Sequence, residues 1–169
     1  MNTTTTPNRA EKVTPKISLK NILCATDFSS TSSKALGYAA AIARSQASKL
    51  YLVHVLPEQV LLELPLEPLP DSMDRGLVEA THKMDSLLAE KWLAGIEHEE
   101  IVKHGLIQHV IADLIDKKQI NLLVLGTHGR GGLNKILLGS TVEQLFRSAL
   151  CPVLTVGAWY LARVPSIWS

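Results

Sequence analysis

The chain has 169 residues, of which 46% are apolar and 20% charged. That suits one packed domain with tails and argues against wholesale disorder. Lys plus Arg number 17 and Asp plus Glu 16, a net charge of +1, which excludes a protein that coats nucleic acid through a basic excess but leaves room for a local anion site.

Residues 1–16 are polar, with four consecutive threonines and Pro7 and Pro15. They read as a mobile N-terminal tail without the apolar stretch of a secretory signal. Asn21 to Ala25 is a short apolar run, the mark of a buried strand. Thr26-Asp27-Phe28-Ser29-Ser30 after it is helix-start chemistry. Leu36, Ala39, Ala40, Ala43 and Ala47 recur at helical spacing and predict a helix from about Ser33 to Ala47. Lys49 to Leu56 is a second strand.

Pro57, Pro65, Pro68 and Pro70 then break the rhythm, so 57–70 is neither an ordinary helix nor a central strand. Leu77, Met84, Leu87, Leu88 and Trp92 predict a helix from about Met73 to Ala94. Glu99 to Lys103 is a weak strand. Ile107 to Lys117 is a short helix with Val110, Ile111, Leu114 and Ile115 inward. Asn121 to Leu125 is the clearest buried strand. A glycine-rich loop follows, then a helix from about Ser140 to Ser148 and a last strand, Val153 to Val156. This alternation predicts an α/β fold: an open, five-stranded, mostly parallel sheet with helices on both faces and right-handed crossovers.

The only two cysteines, Cys24 and Cys151, have no metal-binding spacing. Cys24, inside an apolar run, reads as a core residue. The charge-free stretch from Ser148 to Ala162 contains Pro152 and Gly157 and falls short of the ~20 apolar residues of a spanning helix. The expectation is a cytoplasmic protein without a membrane or nucleic-acid partner. The histidines form no zinc pattern, so no metal ligand is expected. His54, in an apolar strand, reads as a core histidine, and no catalytic residue stands out.

The loop Gly126-Thr127-His128-Gly129-Arg130-Gly131-Gly132 follows directly on a buried strand, and Gly139-Ser140 opens the next helix. Glycines let backbone amides turn toward a ligand, and a helix N-terminus favours a phosphate. No Gly-Lys pair exists for a Walker loop, and a dinucleotide fingerprint read from Gly129 fails at Asn134. A purely structural account competes. Gly126 and Gly129 would serve tight turns, Ser140 with Glu143 would form a capping box, and Asp27 would cap the first helix. Topology tilts the balance. Ligands of open parallel sheets bind where strand order reverses, and polar strand ends occur at Thr26-Asp27 and from Gly126 onward. One ligand meets both only if the first and fourth strands are neighbours.

Four groups of residues together resemble the universal stress protein family, in its nucleotide-binding branch, across residues 18–157. They are Ala25-Thr26-Asp27-Phe28-Ser29, Leu52-Val53-His54-Val55, Gly126-Thr127-His128-Gly129-Arg130-Gly131, and Gly139-Ser140-Thr141 with Cys151-Pro152-Val153-Leu154. The resemblance implies a Rossmann-like fold of the adenine nucleotide alpha hydrolase type. It implies that ATP or another adenine nucleotide, AMP or cyclic AMP, is bound, with Mg²⁺ held only through the phosphates. Asp27 would approach the ribose. Ala25 and Thr26 would line the adenine side, and Val55 would hold the adenine through its main chain. Leu125 and Gly126 would lie against the nucleoside. Gly129, Gly139, Ser140 and Thr141 would bind phosphates, with Arg130 and Lys135 as supplementary charges. It further implies a homodimer through the last strand.

The sequence departs from the family pattern at Gly105-Leu106-Ile107, which lacks a proline, and in the tail after Gly157, which carries Trp159, Tyr160, Val164, Ile167 and Trp168. Those aromatics either meet a protein partner or subunit or fold back on their own chain. The division expected is a tail at 1–16, a universal stress protein domain at 17–157 and an aromatic extension at 158–169. The function expected is a nucleotide-binding stress sensor or switch with at most slow ATP hydrolysis. The rivals are an interaction module with an empty site, working through the tail and the Pro/Leu segment, and a genuine nucleotide hydrolase.

Overall fold

The computed structural model describes residues 17–57, 70–89, 93–127 and 140–157. Five strands, β1 (Asn21–Ala25), β2 (Lys49–Leu56), β3 (His98–His104), β4 (Leu122–Gly126) and β5 (Val153–Val156), pair in the order β3-β2-β1-β4-β5. Every pairing is parallel. The helices are α1 (Ser30–Gln46), α2 (Pro70–Leu88), α3 (Ile107–Lys117) and α4 (Ser140–Ser148).

The strands alternate between two cores because successive side chains leave a strand on opposite faces. Ile22, Cys24, Leu50, Leu52, Leu122 and Val124 pack with Leu36 and the alanines of α1 and with Met84 of α2. Leu23, Tyr51, Val53, Leu123 and Leu125 pack with Ile111 and Leu114 of α3 and with Val142 and Leu145 of α4. Each fully buried Leu or Ile contributes roughly 2 kcal/mol of transfer free energy. The sheet is therefore covered by α1 and α2 on one side and by α3 and α4 on the other.

Three expectations need correction. The first helix starts at Ser30 rather than Ser33, because apolar spacing is blind to a polar first turn. Ser29 is its N-cap, accepting from the Ser32 amide at 3.2 Å. The second helix spans Pro70–Leu88 rather than 73–94. Proline is tolerated in a first turn, where its missing N–H has no intrahelical partner to lose. On that helix Ala80 and Met84 are buried and Leu77 is exposed. The fourth strand is Leu122–Gly126, one residue later than expected. The Pro/Leu stretch 58–69, Trp92 and the extension 158–169 lie outside the described residues.

Two asparagines set the register where β1 and β4 begin. Asn121 Oδ1 accepts from the amides of Lys20 at 2.8 Å and Asn21 at 3.0 Å. Asn21 Nδ2 donates to the Lys118 carbonyl at 2.8 Å. At the same end of the sheet Glu99 pairs with Lys118 at 2.7 Å and with Lys49 at 3.1 Å. Both ammonium groups stand over the Tyr51 ring, at 5.3 and 5.2 Å. These bonds tie β3 to the centre of the sheet and leave the opposite, C-terminal end to the polar loops.

Candidate functional site

Strand order reverses between β1 and β4, which pair with each other although nearly a hundred residues separate them. The chain leaves β1 for α1 on one face and runs from β4 toward α4 on the other. Connections that diverge in this way leave a crevice between the strand ends.

One wall of the crevice is the turn from β1 into α1. The Asp27 carboxylate accepts from the Ser29 amide at 3.0 Å, and Ser29 in turn caps α1 through Ser32. The cap is therefore Ser29, and Asp27 braces it from two residues upstream. Burial by itself pushes the Asp27 carboxyl up. The hydrogen bonds from Ser29 and the Ser32 hydroxyl outweigh it and hold the group below the usual carboxylate range. Asp27 remains partly exposed, so a charged acceptor stands at the mouth of the crevice.

Thr26 is buried and its polar groups are engaged within the protein. Its amide donates to the Val53 carbonyl at 2.9 Å, and its hydroxyl meets the Phe28 amide at 3.0 Å and the Ser32 hydroxyl at 3.1 Å. Its carbonyl lies 2.7 Å from His54 Nδ1. A carbonyl only accepts, so this nitrogen carries the proton. Phe28 takes a left-handed φ of 63°, and its ring packs on His54 with centroids 4.3 Å apart. Thr26 thus acts as a brace that shapes the turn.

The other predicted contacts divide into three groups. Ala25, Val55 and Leu125 all face the α3 and α4 side, near the C-terminal ends of β1, β2 and β4. Leu125 is a core residue, whereas Ala25 and Val55 are half-buried. The β1–β2 ladder ends at Ala25 opposite Val53. Main-chain groups alternate sides along a strand, and Val53 accepts from Thr26 whereas Leu56 accepts from Gly105. The Val55 peptide therefore turns to the side of β1, one step beyond β1's last partner.

Gly126 ends β4 opposite Val156. A Cβ there would stand 3.0 Å from the Ser32 amide nitrogen and 3.0 Å from the Thr31 carbonyl carbon, so the first turn of α1 rests directly on this glycine. Thr127 donates its amide to the Val156 carbonyl at 2.9 Å. Gly129, Arg130, Lys135 and Gly139 lie outside the described residues. Ser140 and Thr141 open α4, and at 9 residues it is long enough to carry a dipole toward its N-terminus. Glu143 accepts from Arg147 at 2.9 Å.

The residues that reading the sequence missed are Ser32, which links Thr26 to Ser29, and Phe28 with His54. The serine-rich run after Asp27 was a visible signal for the first. Nothing in the sequence signalled the ring contact. A separate cavity of about 350 Å³ opens at the end of β3, lined by Lys103, His104, Gly105, Leu106, His109, Val110 and Asp113. None of the predicted site residues lines it, and Lys103 and Asp113 approach each other across it at 3.8 Å. Among the described residues no helix is long and apolar enough to cross a membrane.

A sequence profile of the Universal stress protein family matches residues 18–157. Universal stress protein MJ0531 of Methanocaldococcus jannaschii is 34% identical over 140 residues, covering 81% of each chain. The solved structure of MJ0577 from the same organism superimposes with a TM-score of 0.73 at 29% identity, covering 83% of this chain and 97% of that one. A universal stress protein from Archaeoglobus fulgidus in complex with dAMP shares the fold, with a TM-score of 0.60 at 22% identity over 83% of this chain and 99% of its own.

Proposed function

The chain belongs to the universal stress protein family, and on that premise we propose that it binds an adenine nucleotide, ATP foremost, in the crevice between β1 and β4. The observation that carries this reading is the strand reversal. It brings Asp27 and the start of the glycine loop to one end of the sheet. Ala25 and Val55 offer the base a half-buried apolar floor, and the Val55 main chain offers it a hydrogen-bonding edge. Leu125 backs that floor from the core. Thr26 holds the wall in place. Asp27, kept anionic by its serine amide and hydroxyls, accepts from a ribose hydroxyl. Gly126 lets α1 close on the strand end.

Gly129, Gly139, Ser140 and Thr141 bind the phosphates through amides and the helix dipole, with Arg130 adding charge and Mg²⁺ carried on the phosphates. The A. fulgidus complex supports the reading at the level of the scaffold, which there accommodates an adenine nucleotide. The domain is 17–157, flanked by the two extensions. It acts as a cytoplasmic sensor or switch, with hydrolysis slow at most. No described side chain stands as a general base for attack on a phosphoanhydride beyond Asp27 and Glu143, and both are engaged in hydrogen bonds. A homodimer pairs the outer edge of β5, which terminates the sheet and would otherwise leave strand donors and acceptors open.

Nucleotide at a hundredfold excess over its Kd adds ~2.7 kcal/mol to the folded form, enough to bias a partner surface. Denaturing the purified protein and chromatographing the released small molecules tests the proposal, together with thermal shifts for ATP, AMP and cyclic AMP. Gly129→Val places two methyls where phosphate would approach. The expected result is a folded variant that has lost ATP affinity. Unchanged affinity, or no released nucleotide with no thermal shift, would return the chain to an interaction module. Turnover above about 1 s⁻¹ would make it a hydrolase.

A further inference from the structure

The hydrogen-bond ladder between β1 and β2 stops at a definite rung. The Thr26 amide donates to the Val53 carbonyl at 2.9 Å. Alternate residues of a strand bond to the same neighbour, so a longer parallel ladder would continue through Val55. The Val55 amide would donate to the Thr26 carbonyl, and the Phe28 amide would donate to the Val55 carbonyl. Neither bond forms among the described residues. Two side chains have taken the groups that Val55 would meet. His54 Nδ1 donates to the Thr26 carbonyl at 2.7 Å, and the Phe28 amide donates to the Thr26 hydroxyl at 3.0 Å.

The fold holds this arrangement in place. Val53 and Val55 belong to the α3 and α4 side of the sheet, so His54 between them stands on the α1 and α2 side. There the Phe28 ring packs on the imidazole with centroids 4.3 Å apart. The left-handed φ of 63° at Phe28 turns the chain off the sheet. One donor and one acceptor, the Val55 amide and carbonyl, are left side by side on a half-buried residue at the edge of the crevice. Such a pair is directional. Adenine presents an acceptor at N1 beside a donor, its 6-amino group. Hypoxanthine and guanine present the reverse order, a donor at N1 and an acceptor at O6. With the ribose fixed at Asp27 the base cannot turn over to exchange them, and a mismatched edge leaves polar groups unpaired.

We propose that His54 is a specificity-determining residue of the nucleotide site: by occupying the Thr26 carbonyl it keeps the Val55 amide open for N1 of an adenine. The inference rests on the nucleotide-binding reading above. His54 acts through Val55, as a positioning residue. Without its ring N–H the Thr26 carbonyl would lie unpaired beside an unpaired amide, and the ladder would gain a rung at the expense of the base.

Titrating the full-length protein with ATP and with 1-deaza-ATP, in which a C–H replaces N1, tests it. The native chain should prefer ATP by roughly tenfold, the worth of a hydrogen bond whose loss leaves a donor unpaired. His54→Leu should bind both nucleotides alike, at the weaker level. His54→Asn carries an N–H the same number of bonds from the backbone and should restore the preference. A loss in His54→Leu that both nucleotides share equally, with the preference intact, would make His54 merely structural and overturn the proposal. So would a native chain that binds ATP without distinguishing the analogue.

Amide hydrogen exchange at Val55 gives a second reading, without ligand. That amide should exchange fast in the native chain and in His54→Asn, and slowly in His54→Leu, where it gains the Thr26 carbonyl. A protected Val55 amide in the nucleotide-free native chain overturns the proposal whether or not the variants fold. A native chain that binds neither nucleotide fails the nucleotide-binding reading itself, and exchange at Val55 then decides alone whether His54 ends the ladder.

Discussion

Gly126 lies directly beneath the Ser32 amide, and a Cβ on the glycine would meet that nitrogen at 3.0 Å. The helix cannot draw back without disturbing its own cap, since the Ser32 amide also donates to Ser29. Helix start and strand end are thus one rigid unit on which Asp27 is mounted.

Gly126→Ala should therefore lower stability by about 1–3 kcal/mol, the usual cost of forcing extra volume into packed backbone. It should weaken nucleotide binding at the same time, because α1 and Asp27 move together. Denaturant unfolding and nucleotide titration on one sample check this. Gly129→Val is expected to lose affinity alone. A Gly126→Ala protein of unchanged stability would show that α1 yields freely.

Asp27 makes stability depend on pH in a definite direction. Its folded pKa is depressed, so the unfolded state binds more protons as acid is added. Its stabilisation is complete above the unfolded value, about 4, and is lost as pH falls through the lower folded value. Asp27→Asn keeps the shape and removes the charge. The gap in unfolding free energy between the two proteins should be constant near neutrality and close below about pH 4. A gap independent of pH would mean that the charge contributes nothing to the turn.

Asn121→Ala should cost about 1–2 kcal/mol, because the amides of Lys20 and Asn21 lose one shared acceptor at a half-wet site. Amide hydrogen exchange is the sharper measurement. Protection should fall at residues 20–22 and remain at β2, since only the β1–β4 rung is loosened. Uniform loss would point to global destabilisation instead.

The two thiols should differ in reactivity. Burial pushes the Cys24 thiol up to about 12. Cys151 is also raised, by partial burial that its backbone contact with Leu123 only partly offsets. A thiol reagent at mildly alkaline pH should label Cys151 slowly and Cys24 only on unfolding, since the thiolate is the reacting form. Peptide mapping after timed quenching distinguishes them. Prompt labelling of Cys24 would mean that β1 opens locally.

How much was legible differs between the two walls of the crevice. The resemblance singled out both Asp27 and Gly126, but their physical settings were not visible in the sequence. The helix cap fell to Ser29, and Thr26 turned inward as a brace. Both outcomes depend on Ser32, whose hydroxyl joins Thr26 to Ser29. Apolar spacing carries no information about such a polar ladder. The start of α1 and the start of α2 at Pro70 were missed for the same reason: first turns are set by capping and by backbone donors rather than by a buried stripe.

By itself the sequence determined that strands and helices alternate and that β4 is buried on both faces. Periodicity is a property of neighbouring residues, so a strand of Leu, Val and Ile carries its signal whatever packs on it. It also determined that chemistry-bearing residues follow β1 and β4. Only the tertiary structure decided that those two strands are neighbours, that the Val55 main chain turns toward the end of β1, and that α1 presses on Gly126. Each of these is a contact between residues distant in the chain. Such contacts are chosen by how two apolar faces of one sheet are jointly covered, and no local pattern records that choice.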